Sequence, residues 1–346
     1  MSLGFALVGC GRIAVRHAEL LAGGKISGAR LVAVCDVNPE RARQFGAKHS
    51  VPHFTDHRAL MDAHAAQVDA FVVATPSGSH APVCLELVKY GKHIVVEKPI
   101  ALSMEDADAM IAACDRAGIR LFTVLQNRYN VPVKRLREAV EAGRFGKLVL
   151  GTVRVRWCRP QEYYDQDPWR KVAGEGGGVL SNQASHHLDL LQWMMGDAES
   201  VFARSATRLV DAAVEDTGVA IVKFKNGALG MVEATTATRP KDLEGSLSIL
   251  GENGTVEIGG FAVNRMTTWN LSDDKDHTIE DMEKYRENPP DVYGFGHRRF
   301  LQDVVDCIAG NRPGAIDGRE GRRSLLLMVA VYESIARGLE VRVPQG

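Results

Sequence analysis

The tripeptide Glu97-Lys98-Pro99 puts a lysine where it can do chemistry. It closes the apolar pattern His93-Ile94-Val95-Val96, at about the point where the fifth strand of a parallel sheet should end. In open parallel sheets, ligands bind beyond the carboxyl ends of the strands. A lysine stiffened there by the following proline is aimed at whatever reacts. As a cation it would stabilise negative charge growing on an oxygen. With a proton affinity lowered by burial it would act as a base, and the sequence leaves both roles open.

A second set of residues says what the lysine would face. The strand pattern of residues 3–8 runs into Gly9-Cys10-Gly11-Arg12-Ile13-Ala14. Gly9 permits a tight turn, Gly11 lets the backbone approach a pyrophosphate, and Ala14 is small enough for close helix–strand packing. The next helix offers its N-terminal amides to phosphates. Asp36 ends a second strand, Leu31-Val32-Ala33-Val34-Cys35, where a carboxylate accepts from ribose hydroxyls and repels a 2′-phosphate. No basic residue immediately follows it, which favours NAD over NADP. Arg12 and Ile13 belong to the same turn, and Thr75-Pro76-Ser77 ends a fourth strand beside the expected nicotinamide half. A purely structural turn is the alternative reading of that last tripeptide.

The elements that position these residues alternate. Strands at 3–8, 31–35, 70–74, 93–96 and 120–124 are separated by helical stretches, one opening at Pro39 and one at Ser103 with Glu105 and Asp106 in its first turn. Near-continuous apolar strands alternating with helices imply a parallel sheet covered on both faces. The pattern changes after about residue 125. Residues 149–157 alternate, with Val149, Val153, Val155 and Trp157 opposite Arg154 and Arg156, as in a half-exposed antiparallel strand. Asn226-Gly227 signals a hairpin, and Gly245–Leu250 with Thr255–Ile258 a second. Helices are expected near 295–308 and 319–337, and a polar surface excursion over 272–291. The fold class is therefore an α/β Rossmann domain (1–124) followed by an α+β domain with a largely antiparallel open sheet (125–346).

Composition sets limits. The 346 residues are long enough for two cores, and the apolar fraction of 45% with 25% charged residues is ordinary for a globular protein. A formal net charge of −1, with no basic block beyond Arg298-Arg299 and Arg322-Arg323, argues against nucleic acid or a membrane surface as partner. No apolar run is long enough to span a bilayer, and the N-terminus lacks a basic leader pattern. The six cysteines are scattered without a C-x-x-C pair, which suits reduced, buried thiols and a cytoplasmic setting.

Together these motifs resemble the Gfo/Idh/MocA oxidoreductase family. Further matches are His80 after Thr75-Pro76, Gly91-Lys92-His93 before Glu97-Lys98-Pro99, Gln126-Asn127-Arg128, and Gly176-Gly177-Gly178-Val179-Leu180 leading to His186, His187 and Asp189. The resemblance implies that Lys98 and His186 face the reacting carbon. It groups His80, Glu97, Lys98 and Gln126 with the cofactor contacts. Histidine's ordinary pKa near ~6.5 suits it to take the proton when a secondary alcohol is oxidised. Asn182 stands where most of that family has an aspartate; it donates and accepts hydrogen bonds but takes no proton. A metal is not expected: His186, His187 and Asp189 lack an accompanying ligand cluster, and hydride transfer needs none.

The segment 157–170 is rich in aromatics and arginines. The chain has four Trp and seven Tyr, and four of these fall here, with Arg159 and Arg170. Such a loop suits a sugar ring, a base and anionic groups; packing onto the sheet or against a subunit is the alternative. The segments Gln126–Pro132, Arg154–Arg159, Tyr163–Arg170, Ser181–His187, Arg239–Gly245 and Asn288–His297 resemble the subgroup of UDP-N-acetyl-2-amino-2-deoxy-D-glucuronate 3-dehydrogenases. That resemblance implies NAD-dependent oxidation of the C3′ hydroxyl of a UDP-sugar for surface polysaccharide synthesis. It makes Asn182 normal. Arg128, Arg159, Trp169, Arg170, Asn182, His186 and Tyr293 become candidate substrate contacts, with His297, Arg12, Arg16 and Lys241 as further ones. Tight cofactor retention in the family permits either NADH release at each turnover or its reoxidation in place by a 2-oxo acid. The open sheet suggests a homo-oligomer, dimer or tetramer. The rivals are a dehydrogenase of a free polyol or sugar and a nicotinamide-binding protein without turnover.

Overall fold

The computed structural model describes residues 2–272, 282, 294–314 and 316–344. The chain divides into two compact units, Met1–Leu125 with His297–Arg322, and Gln126–Gly296 with Arg323–Gly346. The sequence-based division at 124/125 differs in two respects: Leu125 and residues 297–322 group with the first unit. Within that unit Phe122 bridges Asp317, Arg319 pairs with Asp115 at 2.7 Å, and Arg322 pairs with Asp108. These contacts join residues far apart in the chain, so no local pattern announces them.

The first unit holds a six-stranded parallel sheet in the order β3-β2-β1-β4-β5-β6. Its strands are β1 (Leu3–Val8), β2 (Ala29–Cys35), β3 (His53–Phe54), β4 (Ala70–Val73), β5 (His93–Val96) and β6 (Leu121–Thr123). Strands β4 and β5 are buried along almost their whole length, as a sheet covered on both faces requires. The helices Pro39–His49 and Met104–Arg116 start where capping side chains sit: Asn38 accepts from Glu40 and Arg41 N–H, and Ser103 Oγ from Asp106 N–H. The sequence reading lacked β3 and the helix His57–His64. A two-residue strand has too few positions to show a period, and only Asp56 at the helix N-cap marks the second.

The second unit holds an eight-stranded sheet in the order β13-β12-β11-β7-β10-β9-β8-β14. Its strands are β7 (Leu148–Arg156), β8 (Ala198–Ala206), β9 (Thr217–Phe224), β10 (Leu229–Thr235), β11 (Glu244–Gly251), β12 (Gly254–Gly259), β13 (Arg265–Leu271) and β14 (Val341–Arg342). All described pairings are antiparallel except β7 with β10. Strand β7 alternates with Val153 and Val155 buried, but Val149 on the same side is exposed, and the strand is antiparallel to β11 only, pairing parallel with β10. On the buried face the helix Ser185–Met195 approaches closely: a Cβ on Gly151 would stand 2.7 Å from Met195 Cγ and 2.8 Å from Leu191 Cδ1. The other face exposes Phe202, Val219, Ile221, Leu229 and Met231. Among the described residues no helix is long and apolar enough to cross a membrane. The expected polar excursion over 272–291 lies, but for its first residue and Met282, outside the described residues.

Candidate active site

The glycine turn has the geometry its sequence demands. Gly9 sits at φ +94°, and a Cβ there would meet the carbonyl of Ala74 at 2.7 Å and Thr75 N at 2.8 Å. Gly11 caps the helix Arg12–Ala22 without a side-chain cap, and a Cβ on Gly11 would meet nothing within 4 Å. Open space before uncapped helix amides is what a pyrophosphate needs. Asp36, half-buried, accepts from Cys10 N–H at 2.6 Å and Asn38 N–H at 2.8 Å. Its carboxylate has lone pairs left for ribose hydroxyls, and the next residue, Val37, is exposed and uncharged. Among the described residues Thr75 Oγ1 is buried without a hydrogen-bond partner, a polar atom suited to a ligand beside the ends of β1 and β4. Arg12 is exposed, Ile13 and Pro76 are half-buried, and Ser77 opens a short 3-10 turn. Burial, followed by the charge of Asp36, pushes the Cys10 thiol up to about 12, so this cysteine packs rather than reacts.

Two expected cofactor contacts have other partners. His80 is 1% exposed, with Nδ1 2.8 Å from Pro99 O and Nε2 3.1 Å from Thr75 O. Burial lowers its pKa, so a neutral ring donates to one carbonyl, and Pro99 O is the nearer. His80 thus ties the Glu97-Lys98-Pro99 turn to the Thr75 turn from behind. Glu97 is 4% exposed, and its Oε1 lies 2.7 Å from His17 Nε2 while Oε2 accepts from Lys98 N–H at 3.2 Å. Both thus satisfy their polar atoms with protein partners, as buried polar groups do. Lys98 is half-buried; burial lowers its pKa and the charge of Glu97 opposes that.

In the second unit, His186 lies on the first turn of Ser185–Met195 and is 7% exposed. Its Nε2 is 2.8 Å from Gln126 Nε2. Gln126, expected at the cofactor, is therefore a partner of the histidine. Before the helix, Val179–Gln183 forms one π-helical turn. Within the buried run 176–192, Asn182 alone is half-exposed. The turn is held from below: Glu215 Oε1 accepts from Leu180 N–H at 3.0 Å and from Tyr332 O–H at 2.8 Å, and Ser181 N–H donates to Tyr332 Oη at 3.1 Å. Gly178, at φ +100°, leaves room for that carboxylate, since a Cβ would stand 2.5 Å from Glu215 Oε1. His187 points elsewhere. It packs edge-on to Trp157 at 6.0 Å, neither ring nitrogen has a hydrogen-bond partner, and burial lowers its pKa to about 3.

The arginines are engaged. Arg128 is 6% exposed and bidentate to Asp189, with Nε–Oδ2 2.9 Å and Nη2–Oδ1 2.6 Å, and its guanidinium lies 4.8 Å from the Trp193 ring. Arg170 is 5% exposed, donates to Asp167 Oδ2 at 2.6 Å and Tyr163 O at 3.1 Å, and stacks 4.2 Å over Tyr163. Both guanidiniums, expected as substrate contacts, are held by protein partners. Arg159 pairs with Asp242 at 2.8 Å yet stays half-buried, as does Trp169. Lys241 is exposed. Tyr293 lies outside the described residues.

The glycine cradle and the uncapped helix describe a dinucleotide site, and comparison with known proteins agrees. Residues 3–125 match the oxidoreductase family's NAD-binding Rossmann fold, and residues 137–343 match its C-terminal alpha/beta domain. The chain belongs to the Gfo/Idh/MocA oxidoreductase family. It is 40% identical to the WlbA dehydrogenase from Bordetella pertussis, solved with NADH and UDP-GlcNAcA, with 100% of both chains covered and a TM-score of 0.88. The WlbA dehydrogenase from Chromobacterium violaceum, solved with the same two ligands, is 39% identical over 100% of this chain and 97% of its own, with a TM-score of 0.90. The myo-inositol 2-dehydrogenase of Thermotoga maritima is 29% identical over 98% of each chain.

As a Gfo/Idh/MocA member the chain is an NAD-dependent dehydrogenase of the sugar and polyol class. Several supporting residues escaped sequence reasoning. Glu215 and Tyr332 carry no motif. His17 gave a faint signal, a histidine on the apolar face of the glycine-turn helix beside Ala14 and Ala18. His297, expected at a cleft, is fully buried near Glu97.

Proposed function

We propose that the protein oxidises the C3′ hydroxyl of UDP-N-acetyl-D-glucosaminuronate to the 3-keto sugar, in a route to surface polysaccharide. The observation that carries this reading is the likeness over the full chain to two dehydrogenases solved with NADH and UDP-GlcNAcA. Bound NAD would accept the hydride from C3′. His186 takes the hydroxyl proton at Nε2 as the substrate hydroxyl displaces the Gln126 amide from that nitrogen's one lone pair. Lys98 stabilises the oxygen as it becomes negative. Asn182, half-exposed ahead of His186, orients a sugar hydroxyl or amide, and Trp169 and Arg159 bind the nucleotide portion. Gly9, Gly11, Arg12, Ile13, Asp36 and Thr75-Pro76-Ser77 hold the dinucleotide.

The same reading includes a cytoplasmic homo-oligomer. Phe202 opposes Ile221, and Ile221 opposes Met231, giving an apolar row across β8, β9 and β10 on the exposed face of the sheet. An apolar row of this kind favours burial against a second copy. Light scattering on Ile221→Lys beside the wild type tests it, and an unchanged mass would remove the sheet face from the interface. A 2-oxo acid that reoxidises NADH in place is the proposed co-substrate.

The second reading is a polyol dehydrogenase, favoured by the 29% identity to myo-inositol 2-dehydrogenase. Incubation with NAD and UDP-N-acetylglucosaminuronate, with and without a 2-oxo acid, separates the two when products are analysed for wild type and Lys98→Ala. A keto-sugar made by the wild type and lost in the variant supports the nucleotide-sugar reading. Turnover of inositols alone would replace it.

A further inference from the structure

The first unit contains a closed group of three titratable side chains beside Lys98. His17 comes from the helix after the glycine turn, Glu97 from the end of β5, and His297 from the helix Gly296–Ala309. Both histidines are 0% exposed and Glu97 is 4% exposed. His17 Nε2 lies 2.7 Å and His297 Nε2 3.8 Å from the same oxygen, Glu97 Oε1, and the two rings meet edge-on at 5.4 Å. The other carboxylate oxygen, Oε2, accepts from the backbone N–H of Lys98 at 3.2 Å. A buried carboxylate persists as an anion only where donors surround it. Burial pushes Glu97 up, but the hydrogen bond from His17 and the nearby His297 ring outweigh it and hold the carboxyl well below its usual range.

We infer that His17, Glu97 and His297 form a positioning unit, in which the hydrogen bond from His17 fixes the Glu97 carboxylate, the His297 ring closes its pocket, and the carboxylate fixes the backbone and the charge of Lys98. The inference rests on the proposed role of Lys98 in the reaction. It explains why a glutamate precedes the lysine: one oxygen anchors to the fold, the other to the lysine's own amide, and the negative charge acts on the ammonium.

The three ligand-type atoms fall within 4.8 Å of one another, so a bound metal is the rival reading. The 2.7 Å separation of His17 Nε2 and Glu97 Oε1 opposes it. It is a hydrogen-bond distance that needs the proton on Nε2, which a ligating nitrogen must lack. Tetrahedral zinc bonds of about 2.05 Å place neighbouring ligand atoms roughly 3.3 Å apart.

The groups that bear on this charge are His17 and Arg16 from the first helix, His80 behind Pro99, His297, and Lys98 itself. Glu97 raises the proton affinity of Lys98, so removing its charge must lower it. The test is the pH midpoint for reductive methylation of Lys98, read by peptide mass spectrometry, which needs no substrate. Glu97→Gln should lower that midpoint by about 1 pH unit. It should also lower kcat on UDP-N-acetylglucosaminuronate by about 10- to 100-fold with a much smaller change in KM. His17→Leu should reproduce part of both effects, His17→Gln, which keeps a donor, should restore them, and thermal melts of each variant confirm folding. An unshifted midpoint in Glu97→Gln and His17→Leu, with Lys98→Ala inactive, would overturn the positioning unit and leave the lysine's role intact. An active Lys98→Ala would instead remove the lysine's role. One equivalent of zinc per chain, lost in His17→Leu, would replace the positioning unit with a metal site.

Discussion

Nε2 of Gln126 stands 2.8 Å from Nε2 of His186, so the amide donates to an unprotonated ring nitrogen. That is the nitrogen form a general base requires. Gln126 Oε1 is buried without a partner, so turning the amide over would offer an acceptor to a newly protonated Nε2–H without breaking another bond of that oxygen. Gln126 can serve both protonation states of the histidine. Gln126→Met should lower kcat by about tenfold while leaving NADH affinity unchanged. Gln126→Glu sets a carboxylate against the ring and should move the acidic limb of kcat/KM upward by about 1 pH unit. Fluorescence titration with NADH decides between this role and a cofactor contact, because weakened binding in Gln126→Met would restore the latter.

Arg128 and Asp189 form the other buried pair of this region, with exposures of 6% and 1%. Removing one partner leaves a buried charge unanswered, which typically costs about 3–5 kcal/mol. Asp189→Ala should therefore lower the denaturant midpoint sharply. The double variant Arg128→Met/Asp189→Leu should recover most of that loss, because apolar replacement of a buried pair is often close to neutral. Arg128→Lys should not behave conservatively, since an ammonium lacks the fork that meets both carboxylate oxygens. Equal stability of all three variants, by chemical denaturation, would show that the pair contributes nothing.

The fate of Arg128 illustrates what the sequence reveals. Gly9, Gly11, Asp36 and Lys98 were legible because their placement follows from local backbone: a turn, a strand end, a proline. The two-unit α/β and α+β architecture was legible from runs and alternation of apolar residues. Arg128, Arg170, His80 and Glu97 also looked like ligand contacts, because polar residues within motifs invite that reading. For Arg128 and Glu97 the partners come from tertiary packing, 61 positions away for Arg128 and Asp189 and 80 for His17 and Glu97, whereas Arg170 turns back on Asp167 and Tyr163 in its own loop. That residues 297–322 pack with the first unit was hidden for the same reason: an amphipathic helix shows that it has a buried face, not which core covers it.

His187 offers a pH test. Its folded pKa of about 3 lies below the unfolded value near ~6.5, so the unfolded chain takes the proton first. Stability from this group is complete above the unfolded value and declines as pH falls from there toward about 3, by up to roughly 1.4 kcal/mol per pH unit. His187→Leu, similar in volume and without polar atoms to satisfy, should melt at or above the wild-type temperature at neutral pH. Its melting temperature should also fall less between pH 7 and pH 5. Parallel acid profiles for the two proteins would mean that other groups carry the acid sensitivity.

The two glycines of the turn should fail in opposite ways when each is changed to alanine. Gly9→Ala forces a side chain into a φ of +94° and against the Ala74 carbonyl at 2.7 Å, so the damage is to the fold. Left-handed strain alone costs about 1–2 kcal/mol, and the clash adds to it. Gly11 has φ −82° and ψ −167°, open to any residue, and its Cβ would meet no protein atom within 4 Å. Gly11→Ala should keep or slightly raise the melting temperature, because alanine narrows the unfolded ensemble. The added methyl nevertheless enters the space where the pyrophosphate backbone approach occurs, so NADH affinity should drop. Thermal melts beside NADH titration of both variants separate the two effects. Undiminished NADH affinity in Gly11→Ala would move the phosphate site away from this turn.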